Sequence, residues 1–168
     1  MIPKELKAVL AAAYPQCPGF CSVCSKHKIE WVPEKGKVAR GYAGAAESIA
    51  DIKLVLCLAE PGDPGEAEMY DNSDADRLID DIDFRVTKAY RSVGDPFKNT
   101  KMDFHRNVRF ILECCWPGES FDEQIKKTWI TEGVLGSAYQ TTKPVSPVVE
   151  KECSARYLSK QLALIPEA

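Results

Sequence analysis

Apolar and polar residues along the chain fall into blocks whose spacing switches between strand-like and helix-like. The clearest block is Ile52–Ala59, a nearly continuous apolar run that stops at the sequence Glu-Pro-Gly. Such a run predicts a strand of a parallel sheet that is covered on both faces. Thr128–Leu135 is rich in β-branched and aromatic residues and predicts a second strand.

Apolar residues at helical spacing predict helices around these strands. The expected helices are the amino-terminal stretch Met1–Tyr14, then Ala75–Val93, Phe104–Cys115, and a last helix that runs from Pro147 to Pro166. The small residues of Gly41–Ala46 predict a turn and a short helix. Phe104 belongs to the apolar stripe of its helix, so core packing is the default role of its side chain.

The order of these elements is helix, cysteine-rich loop, strand, helix, helix, strand and helix, which predicts the α/β class. Two strands are too few for a stable parallel sheet, since roughly three or more are expected. We therefore expect one domain over residues 1–168 whose carboxyl-terminal part is missing. As an alternative, Val32–Ala39 or Phe97–Met102 supplies a further strand.

The composition is that of a globular domain, with 168 residues of which 45 % are apolar. Charged residues interrupt every apolar run well before the ~18 residues that a membrane span needs. The apolar part Ala8–Ala13 is short for a signal peptide, so a cytoplasmic protein is expected. Seven cysteines in such a chain indicate thiols, a metal or a cluster rather than a disulfide framework.

The net charge of −3 hides a strong asymmetry along the chain. Glu60–Asp83 contains ten acidic residues and one base, a local charge of −9, so the remaining residues sum to +6. A weakly basic body with one acidic segment can still bind phosphates locally. A solvated acidic face on an ordinary protein fits the same charges.

Three cysteines share a loop that two prolines and a glycine keep irregular. The pair Cys21 and Cys24, with Cys17 upstream, has the spacing of a metal or cluster site. The same spacing occurs in radical enzymes that use S-adenosylmethionine, although there it follows the first strand of a large barrel. Cys153, on the last helix, is the best distant candidate for a further ligand. The other cysteines are expected to be buried apolar residues: Cys57, Cys114 and Cys115.

Ligands of open α/β sheets bind at the carboxyl ends of the strands, so the residues after each strand are the first candidates for a site. Glu60 follows the first strand, and Pro61 and Gly62 fix a tight turn there whose backbone can approach a ligand closely. The carboxylate of Glu60 could position or deprotonate a water, or stabilise a developing cation. Its alternative role is to cap the turn or to pair with a base.

Four segments, in this order, resemble the uracil-DNA glycosylase superfamily, especially its bacterial and archaeal branch that carries a four-iron cluster. Ala59–Gly62 is similar to the first motif, which holds the catalytic water. Asp103–Glu113 resembles the segment whose phenylalanine stacks on the flipped base. Trp129–Gly136 is similar to the strand whose asparagine reads the base edge, and Cys153–Leu162 is similar to the helix that carries the last cluster ligand.

The resemblance implies a three-layer α/β/α fold with a central parallel sheet. It also implies a DNA repair protein that hydrolyses the N-glycosidic bond of a deaminated base, with DNA as its partner, no membrane, and a monomeric state. The implied site residues are, for catalysis, Glu60; for substrate binding, Pro61, Gly62, Phe104 and Glu132; for a 4Fe-4S cluster, Cys21, Cys24 and Cys153, with Cys17 as the substitute for a fourth ligand.

This chain departs from the family pattern at three places. A cluster cysteine of the family falls on Gly136, and the asparagine position holds Glu132, whose carboxylate would be repelled by, or would read differently, the acceptor-rich edge of uracil. The final histidine-containing motif is absent from the sequence. These departures leave two alternatives, a catalytically inactive iron–sulfur or metal module that binds nucleic acid, and an unrelated α/β protein whose cysteine loop binds zinc.

Overall fold

The computed structural model of the chain describes residues 2–14, 16, 23–27, 29–45, 48–59, 69–70, 74–99, 103–138 and 145–165. The helices in these ranges are α1 (Lys4–Ala11), α2 (Ala75–Ser92), α3 (Asp103–Cys115), α4 (Phe121–Lys126), α5 (Pro147–Cys153) and α6 (Ser159–Leu164). The strands are β1 (Ile29–Glu30), β2 (Ala43–Gly44), β3 (Leu54–Leu58), β4 (Thr128–Glu132) and β5 (Ser137–Ala138). This mixture of helices and strands confirms the predicted α/β class.

Strand β4 is the middle strand of a three-stranded sheet in the order β2-β4-β3. β3 is parallel to β4, whereas β2 is antiparallel to it, so the described sheet is mixed. The expectation of a turn and a short helix at Gly41–Ala46 is wrong, because β2 lies there. A Cβ on Gly44 would come 2.3 Å from the carbonyl oxygen of Thr128, so only a glycine lets β2 approach β4 this closely.

The strands β3 and β4 are both predicted correctly, but their environments differ from the expectation. All five residues of β4 are buried, whereas β3 is only partly buried and, within the described residues, lies at the edge of the sheet. The thiol of Cys57 in β3 is exposed, so the expectation that it is buried is wrong. An apolar run indicates extended structure, but it does not tell a central strand from an edge strand.

Neighbouring side chains of β4 enter two different hydrophobic clusters, because successive residues of a strand point to opposite faces. Trp129 packs with Leu6 and Ile79, from α1 and α2. Ile130 packs with Leu112 and Ile125, from α3 and α4. The central strand thereby joins both halves of the core.

Helix α3 buries only part of its apolar stripe. Val108 and Leu112 are buried, whereas Phe104 is 48 % exposed and Cys114 and Cys115 are also exposed. The expectations that Phe104 packs in the core and that these two cysteines are buried are therefore wrong. The helix presents a narrow side to the core, so only residues on that side meet it.

Four further local features are not predicted by the hydrophobic period alone. Helix α4 begins after Ser120, whose side chain accepts a hydrogen bond from the backbone N–H of Glu123. The predicted last helix is interrupted by a π-helical turn at Ser154–Leu158. Val32–Ala39 forms an isolated bridge between Val32 and Lys37 rather than the alternative strand. The part of Phe97–Met102 that is described, up to Asn99, is not a strand either.

None of the helices within the described ranges combines the length and the apolar character that crossing a membrane requires.

Candidate functional site

Strands β3 and β4 end at the same edge of the sheet. Their parallel register pairs Leu58 with Glu132. Beyond the ladder, the backbone N–H of Gly133 donates to the carbonyl of Leu58 at 2.7 Å, and Val134 donates to Ala59 at 3.1 Å. The segments that follow both strands therefore leave the sheet side by side, which is where ligands bind in open α/β sheets.

The sequence-predicted residues Glu60, Pro61 and Gly62 lie outside the described residues. They follow directly on Ala59, the last described residue of this segment. Their predicted roles at the strand end stay predictions.

The side chain of Glu132 is buried at this edge, with 3 % of the residue exposed. It is the one buried acidic residue in the described part of the chain. Burial of a carboxylate costs free energy unless the surroundings compensate it, so such residues are candidates for function. Glu132 is thus the most conspicuous polar group on the central strand.

Gly41 makes the space that the Glu132 side chain occupies. Its φ of +88° lies in the left-handed region, and a Cβ there would come 2.3 Å from Cγ and 2.9 Å from Oε1 of Glu132. Any larger residue at position 41 would have to displace the carboxylate. The backbone before β2 therefore confines the Glu132 side chain from one side.

Tyr90 and Cys57 both lie within electrostatic reach of Glu132. Burial raises the pKa of the Tyr90 phenol well above its usual range, and the nearby charge of Glu132 raises it further. Burial also raises the pKa of the Cys57 thiol, again with a contribution from Glu132. The thiol and the phenol are therefore both protonated at neutral pH beside the carboxylate.

A chain of ring contacts connects Tyr90 with the predicted stacking residue. The ring centroids of Tyr90 and His105 are 5.1 Å apart, and those of His105 and Phe104 are 5.4 Å apart at an interplanar angle of 90°. Burial lowers the pKa of His105, so this imidazole is neutral at pH 7. The exposed ring of Phe104 is thereby held two ring contacts away from Tyr90.

Ring contacts thus lead from Phe104 through His105 to Tyr90, and Tyr90 in turn lies within electrostatic reach of Glu132, although α3 and β4 are separate in sequence. The residues between them, Tyr90 and His105, have no role in the sequence-based site, and Gly41 has none either. Tyr90 gives no sequence signal apart from its place on the apolar side of α2. The one sequence signal that could have identified His105 as a site residue is its position next to Phe104.

Two further phenylalanines, one before α3 and one on it, lie exposed and pack against each other. Phe97 is 64 % exposed and Phe110 is 44 % exposed, and their rings meet edge to face with centroids 5.2 Å apart. Exposed aromatic rings of this kind are suited to stacking on bases of single-stranded nucleic acid.

Cys24 and Cys153, predicted to belong to one ligand set, line the same cavity. Both thiols are buried. The backbone N–H of Leu135 donates a hydrogen bond to Sγ of Cys153 at 3.3 Å. Two thiols in an otherwise apolar cavity, one of them already accepting an N–H bond, suit a soft metal or an iron–sulfur cluster.

The structure does not bring together a complete set of the predicted metal ligands within the described residues. Cys17 and Cys21 lie outside the described residues. Among the residues that are described, no three histidine, cysteine or acidic side chains come together as a metal site would need. Gly136 lines the cavity, but a Cβ there would come 2.7 Å from Cγ2 of Ile29, so a cysteine at this position would require Ile29 to move.

The cysteine cavity and the strand edge are connected by the short segment that follows Glu132. Ser154 donates a hydrogen bond from its hydroxyl to the carbonyl of Gly133 at 3.3 Å, and Leu135 contacts Cys153 as described above. The helical region from Pro147 to Leu164 therefore contacts this segment at both of its ends, Gly133 and Leu135. A group bound at Cys153 would stabilise the position of Glu132 indirectly.

Two acidic residues of the acidic segment lie in ion pairs on α2. Asp80 pairs with Lys7 at 2.8 Å, and Asp81 pairs with Arg85 at 2.9 Å. At 1.5 Å of helix rise per residue, Asp80 is about 15 Å along the axis from Tyr90. These acids are bound in ion pairs on the helix and do not border the Glu132 site.

Comparisons of the chain with protein-family models, with curated proteins and with solved structures gave no match.

Proposed function

We propose that this protein is a uracil-DNA glycosylase-like DNA repair protein that hydrolyses the N-glycosidic bond of a deaminated base in DNA. The observation that carries the proposal is the series of ring contacts from the exposed Phe104 through His105 to Tyr90, whose phenol responds to the charge of Glu132 at the end of β4. An enzyme that cuts out a base must extrude it, stack on it and read its edge. An exposed aromatic ring near a buried polar group supports that use.

The proposed reaction uses the two strand ends together. The extruded base stacks on Phe104, and Glu132 contacts its polar edge. Glu60, which directly follows Ala59, positions or deprotonates the water that attacks the sugar carbon C1′. The bond from C1′ to the base nitrogen breaks and the bonding electrons leave with the base, while the water oxygen forms the new bond to C1′ and the proton that the water loses ends on the departing base. Pro61 and Gly62 bring the backbone of this turn close to the sugar.

DNA is the proposed partner, and the exposed phenylalanines support it. Phe97 and Phe110 form a second exposed aromatic pair besides Phe104. Arg106, one turn into α3, pairs with Asp103 at 3.1 Å and supplies a cation near this surface. A monomer with three layers around a central parallel sheet is proposed.

The proposed cofactor is a 4Fe-4S cluster held by Cys24 and Cys153 together with Cys17 and Cys21; zinc is the alternative. When bound, such a group crosslinks the cysteine loop to the last helical region. Cys153 then holds Leu135, and through it the segment after Glu132, in place. The chain's own contribution is an apolar, water-poor cavity around the two described thiols.

The deciding experiment is base release from oligonucleotides that carry one deaminated base, in single- and double-stranded form. We expect an alkali-sensitive abasic site with the unchanged protein, and loss of that product with Glu60→Ala. Absence of release from every base and both strand forms, for a folded and metal-replete protein, would contradict the proposal.

A catalytically inactive module that binds nucleic acid is the second candidate, and Gly136 and Glu132 favour it. Gly136 stands where the family has a cluster cysteine, and Glu132 stands where it has the asparagine that reads the base edge. Salt-dependent DNA binding without base release would identify this candidate. Iron and sulfide analysis after anaerobic purification distinguishes a cluster from zinc.

A further inference from the structure

We propose that the cleft at the amino ends of β3 and β4 binds a nucleotide, with its phosphate against lysine side chains and its base against Trp116. The cleft lies beside Lys53 and Lys127, which immediately precede the two strands. Glu132 lies at the other end of the same ladder, and five residues of strand separate the two ends by about 15 Å. A nucleotide can therefore bind in this cleft whether or not the protein releases bases.

The cleft is open to solvent and has a volume of about 500 Å³. Pockets that bind small molecules measure about 300–1,000 Å³, so a nucleotide fits its size. The lining residues come from the segment before β3, from the end of α3 and from α4 with the residue after it: Asp51, Lys53, Trp116, Glu123, Lys126 and Lys127. The backbone N–H of Lys53 donates to the carbonyl of Lys127 at 2.8 Å, which holds two sides of the cleft together.

Two of the lysine side chains have hydrogen-bond donors to offer to a phosphate. Each ammonium group carries three donors. Lys53 uses one of them on the carbonyl of Ala50 at 2.9 Å, and Lys126 uses one on the carboxylate of Glu123, also at 2.9 Å. Within the described residues, each group therefore has two donors left for a ligand. Charge-assisted bonds from such donors to phosphate oxygens are stronger than bonds between neutral groups.

The indole of Trp116 gives the cleft an apolar wall. Trp116 is partly buried against the cluster that contains Leu112, and it also lines the cleft. The ammonium of Lys127 lies 5.7 Å from the centre of the indole ring and is held by both carboxylate oxygens of Glu119, at 2.6 and 2.7 Å. A base that packs on the indole is thus next to positive charge, where the phosphate of the same nucleotide can bind.

The carboxylates in the cleft decide against inorganic phosphate as the ligand. Asp51 and Glu123 line the cleft together with the lysines, and a negative charge placed beside them is repelled. An ionised carboxylate only accepts hydrogen bonds, so it needs a ligand that also has donors. A nucleotide has phosphate acceptors for the lysines and sugar hydroxyl groups for a carboxylate such as Asp51. Acidic residues bind ribose hydroxyl groups in this way in dinucleotide sites.

Calorimetric titration of the full chain with AMP, adenosine and inorganic phosphate tests the proposal. We expect AMP to bind, and the other two to bind at least about tenfold more weakly, because each lacks one half of the recognised group. A single-stranded oligonucleotide that displaces AMP would identify the ligand as a nucleotide unit of nucleic acid. A failure to displace AMP would identify it as a free nucleotide, and both results support the site.

Lys126→Ala is the main variant, because this side chain is 56 % exposed and its removal leaves the core intact. Lys98→Ala is the matched control, since Lys98 pairs with Asp95 three residues earlier at 2.9 Å, as Lys126 does with Glu123, but lies outside the cleft. We expect about tenfold weaker AMP binding in Lys126→Ala and no change in Lys98→Ala. Thermal unfolding verifies that both variants are folded.

Three results would overturn the proposal. The first is that AMP does not bind to the unchanged protein. The second is that AMP binds equally well to Lys126→Ala, which would place the nucleotide elsewhere. The third is an equal loss in Lys126→Ala and Lys98→Ala, which would show that AMP responds only to the overall charge of the protein.

Discussion

The indole Nε1 of Trp129 donates a 2.9 Å hydrogen bond to Oε1 of Gln161, and neither residue has any exposed surface. The bond joins the central strand β4 to α6, across the larger of the two hydrophobic clusters. A buried indole N–H without an acceptor costs about 1–3 kcal/mol, so this single polar contact fixes how the last helix docks on the sheet.

Replacement of Gln161 by leucine is expected to lower the free energy of unfolding by about 1–3 kcal/mol, because the Trp129 N–H then has no acceptor. Urea denaturation measures the change. The same replacement in a Trp129→Phe background, which has no N–H to satisfy, should cost clearly less. An equal loss in both backgrounds would show that packing, and not the hydrogen bond, explains the effect.

Gly41→Ala is expected to destabilise the fold, because its Cβ would meet the Glu132 side chain and its φ of +88° disfavours any side chain. Gly118→Ala is the matched control, since Gly118 has a φ of +79° and open space around it. The control measures the free-energy cost of a side chain at positive φ alone, which is about 1–2 kcal/mol. Chemical denaturation should show a larger loss for Gly41→Ala, and equal losses would mean that Glu132 yields easily to the added Cβ.

Asp83→Asn is expected to raise the melting temperature at pH 7. Burial raises the pKa of Asp83, whose Oδ1 accepts a 3.0 Å hydrogen bond from the backbone N–H of Gly44. The protonated form therefore stabilises the fold fully below the unfolded pKa, about 3.9, and this contribution is lost as the pH rises through the folded pKa. Asparagine keeps an acceptor for Gly44 without placing a charge at this partly buried position.

Melting curves of both proteins across pH 3 to 7 test this prediction. The advantage of Asp83→Asn should grow as the pH rises above about 4 and should vanish below it. A variant that is less stable than the unchanged protein at pH 7 would show that the charge of Asp83 is compensated in the fold.

Phe104→Ala is expected to weaken binding of single-stranded DNA and to slow base release, since stacking on one aromatic ring contributes about 1–3 kcal/mol per base. Phe84→Ala is the control, because Phe84 is an exposed phenylalanine on α2 that has no part in the proposed DNA-binding surface. Fluorescence anisotropy with a labelled oligonucleotide measures binding. Equal effects of the two variants would indicate a general aromatic surface rather than a base-stacking position at Phe104.

Cys153→Ser is expected to remove the bound metal or cluster, or to reduce its amount severely, because the thiol lies in the cavity it shares with Cys24. Cys115→Ser is the control, since Cys115 is exposed on α3. Iron, sulfide and zinc analysis of anaerobically purified protein measures the outcome. Full metal content in Cys153→Ser would exclude Cys153 as a ligand.

Local sequence determined most of the secondary structure. The spacing of apolar residues predicts α2 and α3 within a residue or two of their observed ends, and the two apolar runs contain β3 and β4. These elements can be predicted because their signal, the period of the hydrophobic pattern, is contained within each segment. The pairing of Cys24 with Cys153 in one ligand set is likewise a prediction from the sequence, and the two thiols do line one cavity.

Only the tertiary structure decided which side chains face the core and which of them meet. Phe104 and Cys57 are exposed, and Gly44 lies in a strand, because burial and pairing depend on neighbours that are distant in sequence. The same holds for the site, in which Gly41 and Tyr90 approach Glu132 from two other elements. Periodicity acts along a segment, whereas a site is made by contacts between segments, and those contacts exist only once the chain is folded.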